Sequence, residues 1–126
     1  MYKIEKIGEF HFYLKVLGTF PPSVAERFIE DFNEKTNQLE KFSVIIDGLD
    51  FILLNLKSFE IILDFLKKNN ERLVRSSYIV ADNPVLNTEI QFLLDRAESP
   101  KRKLVNNFDE AKEWIGIEKI VIKKDQ

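Results

Sequence analysis

The sequence predicts an α/β fold: a single mixed, largely parallel β-sheet, opened by an N-terminal antiparallel hairpin and covered by about four helices. Three observations carry this. Apolar runs of strand length alternate with segments of helical period along the chain. The run Phe42-Ser43-Val44-Ile45-Ile46 is apolar almost throughout and halts at Asp47-Gly48, as a strand covered on both faces would. The stretch from Phe42 to Lys68, FSVIIDGLDFILLNLKSFEIILDFLKK, then passes through a loop into a helix, the start of a βαβ unit.

Tyr2 to Ile7 alternates apolar and polar residues, and Gly8-Glu9 can turn it. Phe10 to Leu17 alternates again, with Phe10, Phe12, Leu14 and Val16 on one face, so the two segments predict a hairpin. Pro21-Pro22-Ser23 opens a helix, and Ser23 with Glu26 fits a capping box. Val24, Ala25, Phe28, Ile29 and Phe32 form its apolar stripe, which fades at Lys35 to Gln38.

After the central strand and its helix, Asn69-Asn70 marks a stop. Arg72 to Ala81 holds the next strand, read as Ser76 to Ala81. Asp82 or Asn83 caps a helix with Pro84 in its first turn and Leu86, Ile90, Leu93, Leu94 and Ala97 as its stripe. Ser99-Pro100 breaks it. Lys103 to Asn106 reads as a short strand, Phe108 to Ile115 as a helix closed by Gly116, and Glu118 to Lys123 as a last strand. The order ββαβαβαβαβ implies right-handed crossovers and one domain over residues 1–126. The predicted core includes Phe28, Phe32, Ile45, Ile62, Val80 and Trp114. The last strand is too short to stand alone. It must join an edge of its own sheet, beside the hairpin, or that of a second copy in a homodimer.

Composition narrows the function. With 44% apolar and 32% charged residues the chain is ordinary for a globular domain. Eleven of its fifteen aromatic residues are Phe, which bring burial area without a polar tip. The net charge is −2 and the longest basic run is Lys101-Arg102-Lys103, which argues against nucleic acid as a partner. The absence of cysteine excludes disulfides, zinc thiolates and thiol chemistry. The longest wholly apolar run, Phe51 to Leu54, is far too short for membrane insertion, and no signal peptide is visible, so the cytoplasm is expected.

No catalytic constellation stands out, so the chain is expected not to be an enzyme and to need no cofactor. His11 is the sole histidine and sits mid-strand, where a structural role is expected. The glycines are isolated, so no phosphate loop forms. Asp47 and Asp50 lie at a strand end, where α/β folds place ligands. Two acids there could hold magnesium, as in receiver domains, but the early acidic pair of those domains is missing. Turn and cap roles are therefore expected, with no metal.

The helix after the central strand is apolar around a wide arc. Leu56, Phe59, Ile61, Ile62, Leu63, Phe65 and Leu66 cover about 220° of the wheel at roughly 100° per residue. Either the core grips this helix on two sides, or Phe51, Ile52, Leu53, Leu54, Ser58, Ile61 and Phe65 form an apolar surface for a protein partner.

The layout resembles the STAS-like, or SpoIIAA-like, domain of bacterial anti-sigma factor antagonists, which shares its fold with the lipid-binding SEC14 group. Three pieces carry the resemblance: VIIDGLDFILLNLKSFEIILDFLKK, RSSYIVADNP and NFDEAKEWI, the last with Phe108, Glu110, Ala111, Trp114 and Ile115. It implies a SpoIIAA-like fold and a regulatory module that binds protein, with an apolar small-molecule or lipid binder as the alternative. Asp47 is the residue that matches the family's strand-end aspartate. Regulatory members carry Asp-Ser eight and nine residues later, then glycine two further on. Here Asn55, Leu56 and Ser58 stand in those places, so the phosphoacceptor serine is missing.

Overall fold

A computed structural model describes residues 1–80 and 82–116. Nine elements follow in order: β1 (Tyr2–Lys6), β2 (His11–Thr19), α1 (Pro22–Thr36), β3 (Phe42–Leu53), α2 (Leu56–Lys68), β4 (Leu73–Val80), α3 (Pro84–Arg96), β5 (Arg102–Val105) and α4 (Phe108–Ile115). The five strands form one sheet in the order β1-β2-β3-β4-β5. β1 and β2 are the antiparallel hairpin, with Tyr2 opposite Val16. All other pairs are parallel. The predicted strand at Glu118 to Lys123 lies outside the described residues.

The three crossovers through α1, α2 and α3 move the same way across the sheet. Crossovers of one hand that do so leave their helices on one face. The larger core fills that side, where Phe12, Phe28, Phe32, Phe65 and Leu93 meet. Its centre is a lattice of rings. Phe28 lies edge-on to Tyr2, Phe20 and Phe65, and Phe32 edge-on to Phe12, Phe42 and Phe65. On the other face α4, the one helix there among the described residues, forms a smaller core with Tyr13, Ile45, Ile79 and Val105.

Alternation along the strands sorts residues between the two cores. Phe42 and Val44 of β3 enter the larger and Ile45 the smaller. Ile62, Val80 and Trp114, expected inside, are only partly buried. Trp114 lies at the rim because its indole N–H donates to Lys101 O, while Arg75 and Lys103 stack on its ring.

Several boundaries differ from expectation. The expected stop at Asp47-Gly48 is no stop, and Phe51 to Leu53 is strand rather than loop. β3 passes through a register shift against β2 between Lys15 and Leu17, which absorbs the local irregularity. Gly48 lets the neighbouring strand approach closely, since a Cβ there would lie 3.1 Å from Ile79 O and 3.3 Å from Val80 Cγ1.

The Ser23–Glu26 capping box does not form. α1 starts two residues earlier, with Pro21 at the N-cap and Pro22 in its first turn, and Pro21 O accepts from Val24 N and Ala25 N. β4 starts at Leu73, three residues before the expected Ser76, and β5 spans Arg102–Val105 rather than Lys103 to Asn106. Asn83 is the cap of α3, accepting from Val85 N and Leu86 N. Gly116 closes α4 with φ +75°, a left-handed conformation that suits glycine.

Candidate functional site

In a parallel sheet the C-terminal strand ends and the helix N-termini that follow share one side, the usual place for a site. Here that side holds the end of β3 and the first turns of α2 and α3. The β3–α2 turn is fixed by side chains. Asn55 Oδ1 accepts from Lys57 N at 2.9 Å and Ser58 N at 3.4 Å, capping α2. Glu89 of α3 accepts from Leu54 N at 3.1 Å and ties the turn to the neighbouring helix.

The sequence-predicted contact residues do not share one surface. Phe51, Leu54, Ser58 and Phe65 are buried. Phe51 meets the Phe20 ring edge-on, and Phe65 packs on Phe28 and Phe32. These four belong to the core, not to a contact patch. Leu53 pairs through its backbone with Thr19 at the end of β2. Ile61 is partly buried against the larger core.

Among the described side chains of the set, Ile52 is the well-exposed one, at 66%. Two residues outside the set join it on this side: Leu56, 78% exposed at the start of α2, and Val85, 75% exposed at the start of α3. The wide apolar arc of α2 is explained mostly from within, since the helix packs on α1, α3 and the sheet.

Asp47 is buried and fully engaged. Its Oδ2 accepts from the Tyr13 hydroxyl and its Oδ1 from Leu49 N at 3.1 Å. One carboxylate thus ties β2 to β3 and holds the β3 backbone beside its register shift, a role within the sheet rather than the expected turn or cap. Asp50 turns elsewhere and pairs with Lys15 at 3.3 Å. Among the described residues no group of three His, Asp or Glu side chains could hold a metal ion. Burial, then the Asp47 hydrogen bond and charge, push the Tyr13 phenol well above its ordinary range. Burial lowers the His11 imidazole, which stacks on Phe10.

The larger core also contains a cavity of about 110 Å³ between the sheet and the helices. Ligand pockets for drug-sized molecules run to roughly 300–1,000 Å³. The cavity is therefore too small for a lipid acyl chain in this conformation, and the lipid reading loses its support. Its surface is almost wholly apolar, although Ser76, Tyr78, Arg102 and Asn69 are among the residues around it. Sequence reasoning missed these four. Arg102 sits in a basic run that reads as surface, and only the β4–β5 register sets it beside Ser76.

No helix among the described residues is long and apolar enough to cross a membrane. No family model matches the sequence, and no curated protein sequence matches it. Solved structures do match. An uncharacterised DUF3478 protein with a SpoIIAA-like fold, from Shewanella loihica PV-4, superposes with a TM-score of 0.68 at 15% identity. It covers 90% of this chain and 91% of its own. The anti-sigma factor antagonist SpoIIAA, in its unphosphorylated form, superposes with a TM-score of 0.62 at 12% identity over 92% of this chain and 96% of its own. At these identities the likeness is one of fold, and the chain has the STAS-like, SpoIIAA-like fold that its sequence resembles.

Proposed function

We propose that the chain is a non-enzymatic interaction module that docks a protein partner through the apolar rim at the C-terminal side of its sheet. Ile52, Leu56 and Val85 make the rim, with the partly buried Ile61 on the same helix as Leu56. The observation that carries the proposal is their exposure, 66 to 78%, at one end of the molecule. Single exposed aliphatic residues are ordinary, but several at the end where this architecture places its sites favour a contact surface. The shared fold of an anti-sigma factor antagonist supports the same reading.

Docking on this reading is not switched by phosphate. Leu56 occupies the position of the family's phosphoacceptor, and Ser58, the nearest serine, is buried. The module is constitutive.

The test is affinity capture from native extract with the wild type and an Ile52→Asp/Leu56→Asp double variant. Both positions are exposed, so the variant should fold and melt as the wild type does. Phe51→Asp would be a poor control, because Phe51 is core. A partner held by the wild type and lost from the variant supports the proposal. Equal capture by both, or no partner for either, overturns it. Sedimentation of the two proteins shows whether the partner is a second copy of the chain.

A further inference from the structure

Among the described residues β5 is the outermost strand on its side of the sheet. Lys101 O accepts from Ser76 N of β4 at 2.9 Å. Backbone groups of successive residues turn to opposite sides of a strand. Those of Lys103 therefore also address β4, while the N–H and C=O of Arg102 and Leu104 face the open edge. Such an edge is a template for a further strand.

A shallow groove runs beside this edge. Thr88, Gln91, Phe92 and Asp95 of α3 line it with Leu104 of β5, and no β4 residue does, so it opens past the sheet. Phe92 is 52% exposed there. Its ring stacks on Phe59 with centroids 5.6 Å apart, and the Arg96 guanidinium lies 5.6 Å from its centre. Open backbone groups beside an exposed ring suit an extended segment. The edge supplies hydrogen bonds, and the groove takes alternate side chains. The segment Glu118 to Lys123 has that pattern, with Ile120 and Ile122 on one face.

The end of α4 limits where its own chain can deliver this segment. Trp114 Nε1 donates to Lys101 O at 3.1 Å, and Trp114 O accepts from Arg75 at 3.2 Å, so α4 ends over the starts of β4 and β5. The far side of β1 lies four strand spacings from β4, about 19 Å. The two residues from Gly116 to Glu118 span only about 7 Å. The hairpin edge is thus out of reach. The chain's own β5 edge is within reach, and a strand starting there runs parallel to β5. Because α4 lies on the face opposite α1, α2 and α3, that crossover would have the opposite hand to theirs. Parallel crossovers are right-handed in about 98% of cases.

We propose that the β5 edge and its groove take Glu118 to Lys123 of a second copy of this chain, so that two copies exchange these segments in a two-fold dimer. Ile120 and Ile122 lie over Phe92 and Leu104, and the exchanged segment pairs with the backbone of Arg102 and Leu104. The surface is separate from the exposed rim, because Ile52, Leu56 and Val85 do not line the groove.

Sedimentation of the full chain tests the proposal, and the wild type should run as a dimer. Ile120→Lys/Ile122→Lys alters the segment, and Phe92→Asp alters the groove. Each should weaken dimerisation about a hundredfold or more, the loss of buried apolar contact. The segment variant changes none of the described residues and should keep the wild-type circular dichroism. It decides the matter even if Phe92→Asp unfolds through its lost packing on Phe59. Ile52→Asp/Leu56→Asp should remain a dimer. A monomeric wild type overturns the proposal, and lower melting of the segment variant would then place the strand on its own edge. A dimer that survives the segment variant, or one that the rim variant breaks, also overturns it.

Discussion

The Tyr13 hydroxyl donates to the Asp47 carboxylate, joining β2 to β3 on the face that α4 covers. The other Asp47 oxygen holds Leu49 N where the register between β2 and β3 shifts. Asp47→Ala leaves both donors without their partner. The expected cost is about 1–3 kcal/mol, read as a lower urea midpoint. Because the phenol and the carboxylate act as a pair, Tyr13→Phe combined with Asp47→Ala should cost less than the sum of the two changes. Strict additivity would mean that the two groups do not interact in solution.

A pH dependence follows from the same phenol and from Tyr2. Burial, then the hydrogen bond to Asp31, pushes the Tyr2 hydroxyl up to about 12. Tyr13 is raised further, for like reasons. A folded-state pKa above the unfolded value of about 10 gives stability that is complete below pH 10. That stability is lost as pH rises through the folded values. Urea midpoints should therefore hold steady up to about pH 10 and fall beyond it. Tyr2→Phe should flatten part of the fall, and an unchanged slope in that variant would show that Tyr2 titrates normally.

Phe28 contacts the rings of Tyr2, Phe20, Phe32 and Phe65. Phe28→Ala opens a hole among side chains that cannot all collapse into it. The expected loss is about 3–5 kcal/mol by denaturant unfolding. A loss below about 1 kcal/mol would mean that the aromatic lattice repacks freely.

Ser58 is fully buried, and its hydroxyl has no partner. A serine kinase should leave the folded protein without phosphate in this segment, as judged by intact mass. Ser58→Ala should be neutral or slightly stabilising, since it removes an unsatisfied buried group. Stoichiometric phosphate at Ser58 would require α2 to open and would restore a switch by placing charge inside an apolar layer.

Much of the fold was legible because its signals are local. Alternation in the hairpin, the proline and asparagine at the start of α3, and Gly116 after α4 each act within a few residues. The misreadings have non-local causes. Asp47-Gly48 carries the composition of a turn, yet β3 continues because β2 and β4 pair on either side of it. Pro21 and Pro22 set the start of α1 by backbone geometry, so Ser23 has no cap to make. Phe51, Leu54 and Phe65 read equally well as surface or core, because α1 and α3, which cover α2, are distant in sequence. Arg102 comes to lie beside Ser76 only through a register between β4 and β5 that no spacing in the chain announces.

Among the described residues the strand order repeats the chain order without a single inversion. As the polypeptide leaves the ribosome, each new strand meets a template already in place, and no earlier strand has to wait for a later one to be inserted beside it. Assembly can therefore keep pace with synthesis, as domains do when they fold during translation. One flank stays with β1 and the other travels with the newest strand, so a chain stalled in mid-synthesis presents that second unpaired edge beside the ribosome exit, where nascent-chain chaperones can cover it.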